Sequence, residues 1–208
     1  MFHVEVAVAL ALAFGSAALG DDGSMPPQPN PSRAAVDAWL GGIPGAKAGT
    51  VAPVDAATIR SLLPGEHFYS VRFMRYPRAQ LAPRPLGLEN LIRVKPDGSI
   101  ERIESLAALG SLLTVRLAPI FDEAHARDAV RACLRLAEEF HQDGNYTFEV
   151  AEDSVEVARQ GDRLVASGKA SVTRGGKGEI TVALTFDGSG KVVAVEPGGQ
   201  VRPDVRLR

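Results

Sequence analysis

The sequence has little of several things, and each shortage removes a class of protein. Only one of its 208 residues is a cysteine, Cys133. A lone thiol forms no intramolecular disulfide and cannot supply a multi-cysteine zinc site, so packing alone must hold the fold. Neither charge sign dominates: 23 Lys and Arg stand against 25 Asp and Glu, a formal net charge of -2. That balance excludes global attraction to nucleic acid or to an anionic membrane. No period recurs along the chain, which excludes solenoids and propellers. The longest apolar run, Val6 to Leu19, falls short of the about 20 residues a membrane-spanning helix needs.

That same run has the length of a signal-peptide core, roughly 7–15 apolar residues. Ala18-Leu19-Gly20 places small residues where a signal peptidase requires them, so residues 1–20 read as a signal peptide cleaved before Asp21, with a second site at Gly15-Ser16-Ala17. The leading segment carries His3 and Glu5 but no Lys or Arg, so the terminal amine alone supplies its positive charge. No cysteine follows the run, which argues against a lipoprotein anchor. The expected address is export, to a periplasm or outside the cell, with no stable membrane insertion after cleavage.

Residues 21–32, with Met25-Pro26-Pro27-Gln28-Pro29-Asn30-Pro31, have almost nothing to bury and read as a solvated, Pro-rich linker. Residues 33–64 read as a short helical N-terminal extension. Ser32 N-caps a helix through Leu40 that Gly41-Gly42 ends, Ala46 to Ala52 is irregular, and a second short helix runs from Asp55 to Leu63 before Pro64-Gly65. Residues 65–198 form the main domain and 199–208 a tail. Phe68 to Tyr76 has strand composition. Leu88–Lys95 and Ser99–Glu104 flank Pro96-Asp97-Gly98, a hairpin signal, and Ser105 to Leu113 reads as a helix.

The clearest helix runs from about Asp122 to Gln142. Ala126, Ala129, Cys133, Leu136, Ala137 and Phe140 recur on one face at helical spacing, and Gly144 suits the C-terminal cap. Five strands follow: Tyr146–Ala151, Ser154–Ala158, Leu164–Thr173, Glu179–Phe186 and Lys191–Glu196. Their short connections fit antiparallel neighbours, because a parallel crossover needs a dozen or more residues. The expected fold class is therefore α+β, one long helix packed on a curved antiparallel meander. Helix followed by meander over Asp122 to Glu196 resembles the cystatin-like or PepSY-like arrangement. The chain also resembles an uncharacterised family of exported bacterial proteins. The matching segments are Phe68-Tyr69-Ser70-Val71-Arg72-Phe73, Leu134 to Gly144 and the glycine hairpin ending in Leu184-Thr185-Phe186-Asp187. That resemblance implies export and no known activity.

The chemistry-bearing patterns each meet a physical objection. Asp122-x-x-His125 and Glu138-x-x-His141 pair a carboxylate with an imidazole, but both lie on one helix sixteen residues apart, about 24 Å. They cannot share a metal, and exposed helix-end residues explain them. Nucleophilic catalysis lacks a Gly-x-Ser-x-Gly elbow, and Cys133 falls on the helix's apolar face. Gly168-Lys169 has Arg163 where a P-loop needs glycine, and Gly175-Gly176-Lys177-Gly178 joins two strands. Asn145-Tyr146-Thr147 is a glycosylation sequon that matters only in a eukaryotic secretory pathway. No catalytic residue, metal ligand or cofactor is expected.

What remains is basic charge. Arg72, Arg75, Arg78, Arg84, Arg93 and Lys95 face Glu89 alone, with Phe73 and Tyr76 among them, and Arg174 and Lys177 flank the glycine hairpin. Arg72, Arg75, Arg78, Arg84, Arg174 and Lys177 are the candidate binding residues for an acidic protein or peptide partner. The competing explanation is a solvated strand edge whose charges discourage aggregation. The expected function is thus a non-enzymatic exported protein- or peptide-binding module. The alternatives are a small-ligand carrier or enzyme with a pocket under the curved sheet, where Glu138 or Asp143 serves as a base, and a structural envelope-associated protein.

Overall fold

The computed structural model describes residues 31–73, 82–87, 89–141 and 146–203. Residues 1–20, read from sequence as a signal peptide, and residues 21–30, read as linker, lie outside the described residues. The chain is mixed α+β, with four α-helices and two antiparallel sheets. Sequence periodicity led to one sheet under one helix. Instead the long helix α4 (Glu123–His141) is buried between two sheets.

The first sheet has the order β1-β2-β3-β4, from Thr50–Pro53, His67–Arg72, Glu89–Val94 and Ile100–Ile103. β1 falls in the stretch read as irregular from its small residues. It is an edge strand whose register, Val51 opposite Val71, is set by its neighbour rather than by its own composition. Residues 33–64 are therefore built into this layer. α1 (Pro31–Gly41) buries Val36 and Leu40 against Tyr69, Val71, Ile92 and Val94 on the sheet's far face. α2 (Ala57–Leu62) delivers Ile59 and Leu62 to the opposite face, in the same core as Phe68 and Leu91.

The alternation of β2 sorts its side chains between two environments. Tyr69 and Val71 face α1, while Phe68, Ser70 and Arg72 face α4. Two helices follow the first sheet. Ser105 caps α3 (Leu106–Arg116) by accepting from the Ala108 N–H at 3.0 Å. Asp122 caps α4 by accepting from the His125 N–H at 2.8 Å, which holds its carboxyl below the usual range.

The second sheet runs β5-β7-β8-β9, with β6 also on β7: Thr147–Glu149, Glu156–Gln160, Arg163–Arg174, Gly176–Phe186 and Val192–Pro203. β9 extends beyond the strand expected from sequence, so residues 199–203 belong to the sheet and not to a tail. Its inner face presents Leu164, Ala166, Ala170, Ile180, Val182, Leu184 and Phe186 to α4. Leu134 and Leu136 of α4 are fully buried, each a contribution of about 1.5–3 kcal/mol. The helix reaches the sheet because residues beneath it are small: a Cβ at Gly168 would lie 2.6 Å from Val130 Cγ1. In the same way Gly110 lets α3 lie on β9, where a Cβ would sit 2.8 Å from both Val195 O and Pro197 Cδ.

Candidate functional site

Four of the six candidate cations, Arg72, Arg84, Arg174 and Lys177, lie among the described residues, and they do not form one site. Arg72 projects inward, and its Nη2 donates to Glu139 Oε2 on α4 while its Nε donates to Ser70 Oγ at 2.9 Å. It ties the first sheet to the central helix. Reversing the charge of Arg72, one of the candidate binding residues, would therefore break an internal pair. Arg75 and Arg78 lie outside the described residues. Arg84 is exposed in the connection from β2 to β3, whereas Arg174 and Lys177 are exposed where β7 turns into β8, in the other sheet.

Where α4 meets Arg72, the structure gathers polar groups, among them the Glu138 and His141 pair that sequence treated as exposed. Glu138 and Glu139 are 7% and 5% exposed. Arg135 braces both, through Nη1 to Glu138 Oε2 at 3.2 Å and Nη2 to Glu139 Oε1 at 2.8 Å. Burial pushes the Glu138 carboxyl above its ordinary range, and Arg135 only partly offsets this. His141, one turn on, packs its ring edge to face with Phe140 at 5.3 Å between centroids. Its Nε2 is buried with no hydrogen-bond partner among the described residues, and burial holds the imidazole below its ordinary pKa of 6.5.

These groups act on stability. His141 takes up its proton more readily in the unfolded chain, so stability falls as pH drops through 6.5 toward the lower folded value. Glu138 has the opposite sign, since its raised folded pKa makes burial costlier as pH rises above 4.5. Replacing His141 by leucine removes an unsatisfied buried nitrogen and is expected to stabilise the protein by about 1 kcal/mol at pH 7. It should also flatten the loss of stability as pH falls below 6.5. Urea unfolding curves at several pH values measure both; an unchanged pH slope would show that His141 is not the titrating group.

Other reactive groups are similarly confined. Cys133 is 1% exposed, and burial pushes its thiol up to about 12, so it stays protonated. A buried bidentate pair missed in the sequence joins Glu66 to Arg93, with Oε1–Nη2 at 2.6 Å and Oε2–Nε at 2.7 Å. No sequence signal marks it, because Arg93 takes an inward position of β3 between the apolar Ile92 and Val94. Among the described residues no group of three His, Cys, Asp or Glu side chains is placed to hold a metal ion. No described helix is long and apolar enough to cross a membrane.

Two surface cavities border His67. One of about 340 Å³ lies between the start of α1 and the β3–β4 turn, against Ser32, Val94 and Lys95. The smaller, about 140 Å³, lies against Asp55, Arg60 and Glu66. Glu138, the carboxylate considered as a base, lines neither, and Asp143 lies outside the described residues.

The far end of the second sheet has a different character. Beyond the ground α4 covers, Thr173, Arg174, Lys177, Gly178, Glu179, Gln200 and Arg202 are all exposed. In register, Lys177 stands directly opposite Arg202. Arg202 was missed because its segment read as tail. Fold and site together define a mixed α+β protein with two antiparallel sheets around a central helix. No protein-family model, no curated protein and no solved structure matches the chain.

Proposed function

We propose that the chain is an exported, non-enzymatic module that binds another protein or a peptide through the far end of its second sheet. The observation that carries this reading is the overhang of β7, β8 and β9 beyond the helix that covers them. Sheet faces in a folded domain normally bury one side. Here the cationic end, with Arg174, Lys177 and Arg202, stays in solvent. Reactive groups elsewhere support the non-enzymatic part, since Glu138, Glu139 and Cys133 are all buried and the carboxylates are ion-paired.

The test is a quantitative crosslinking capture with the full chain as bait in its exported fraction. The Arg174→Glu/Lys177→Glu variant is expected to lose at least about fivefold of a specific partner. It should fold normally, because exposed substitutions typically shift stability by no more than about 0.5 kcal/mol. Capture that the double reversal leaves intact would remove the hairpin from the interface. The 340 Å³ cavity beside His67 and Lys95 favours the small-ligand reading instead, and a ligand that protects His67 from chemical modification would support it.

A further inference from the structure

We infer that β9 accepts an additional strand along its free edge between Gly198 and Pro203, supplied by an extended, acidic segment of a partner protein. This deepens the binding-module reading and rests on it.

The main-chain geometry comes first. β9 is a terminal strand of its sheet among the described residues, paired on one side to β8. Successive residues of an antiparallel strand point their N–H and C=O groups alternately toward and away from the neighbour. Pro197 and Pro203, which have no N–H, stand opposite Val182 and Gly176. Proline is tolerated in a ladder where the missing donor would face away. The phase is confirmed from the other side, because the carbonyl oxygens of Gln200 and Arg202 crowd the positions of Gly178 and Gly176 on β8. Even-numbered residues thus turn toward β8, and Gly199 and Val201 present both donor and acceptor to the open edge. α3 lies on the edge at Val195 and Pro197. Farther on, Gly199, Gln200, Arg202 and Pro203 are exposed.

Charge then identifies the occupant. Lys177 and Arg202 are cross-strand partners on the sheet's outer face. Among the described residues neither has a carboxylate within ion-pair distance, and Arg202 donates only to Gln200 Oε1, at 3.1 Å. Like charges directly opposite destabilise a ladder. An acidic residue on an added strand, opposite Arg202, would share that face and relieve the repulsion. The next position along would lie on the other face beside the half-buried Val201, which suits an apolar side chain. A second copy of this chain fits less well. Its nearest β9 carboxylate, Glu196, is flanked by the residues α3 covers and is kept from reaching Arg202.

The experiment selects a phage-displayed library of random decapeptides on the immobilised full chain. Retained peptides are expected to alternate acidic with apolar residues. Val201→Pro removes an outward N–H and should cut retention by at least about tenfold, while Arg202→Glu should turn the preference from acidic to basic. Thermal melts check that both variants fold; if Val201→Pro does not, Arg202→Glu still decides. Retention without acidic enrichment, or indifferent to both substitutions, overturns the inference. Acidic peptides insensitive to Val201→Pro but lost in the Arg174→Glu/Lys177→Glu variant would leave the binding module and remove strand addition. Dimerisation of the full chain abolished by Val201→Pro would make a second copy the occupant and overturn the acidic partner.

Discussion

Replacing Arg93 by methionine should lower the folding free energy by about 3–5 kcal/mol, the cost of leaving one member of a buried ion pair behind. Arg93 and Glu66 are 5% and 4% exposed. The guanidinium donates three charge-assisted bonds: two to Glu66, and one to Glu101 Oε2 at 2.9 Å. Without Arg93, Glu101 keeps Lys95 at 3.3 Å, but among the described residues Glu66 retains as its cation only Arg116, 3.5 Å away and half exposed. The Glu66→Leu/Arg93→Met double variant should recover most of the loss, because an apolar pair of similar volume is often as stable as the buried ions it replaces. Urea denaturation of the two singles and the double gives the coupling energy directly. A single-variant loss below about 1 kcal/mol would mean that water reaches the pair and that its burial is not felt.

Introducing a side chain at Gly168 should be nearly as damaging. Its Cβ would lie 2.6 Å from Val130 Cγ1, 3.2 Å from Val155 Cγ2 and 3.3 Å from Leu134 Cδ1, between a strand and the central helix. None of the three can retreat far, since Val130 and Leu134 are 0% exposed and Val155 is 4% exposed. Gly168→Ala is therefore expected to cost about 1–3 kcal/mol by overpacking, and Gly168→Val more. Val130→Ala opens the space the new methyl needs. The Gly168→Ala/Val130→Ala variant should accordingly be more stable than the sum of its parts by at least about 1 kcal/mol. Strict additivity would show that the sheet yields instead of the helix.

Reading the sequence alone located most elements by local pattern. The apolar stripe of α4, the Pro96-Asp97-Gly98 turn and the alternation from Ile180 to Phe186 depend on neighbours a few residues apart, and all three appear where expected. β1 escaped because edge strands of small residues carry no pattern of their own; Thr50 to Pro53 is a strand only because β2 lies beside it. The length of β9 escaped for the same reason. Gly198-Gly199 argues against a strand locally, yet those glycines permit the close approach to β8 that the ladder requires.

Charges divide in a similar way. Composition alone establishes the near-neutral balance, the single thiol and the cationic β7–β8 turn, because these are counts and short spacings. It could not say that Arg72 turns inward to Glu139, that Glu138 and the Nε2 of His141 are buried, or that Lys177 meets Arg202 across a ladder. Each of those facts joins residues distant in sequence or depends on which face of an element is covered. Periodicity fixes that an element has two faces. Only the packing of the second sheet against α4 decides which is core and which stays in solvent.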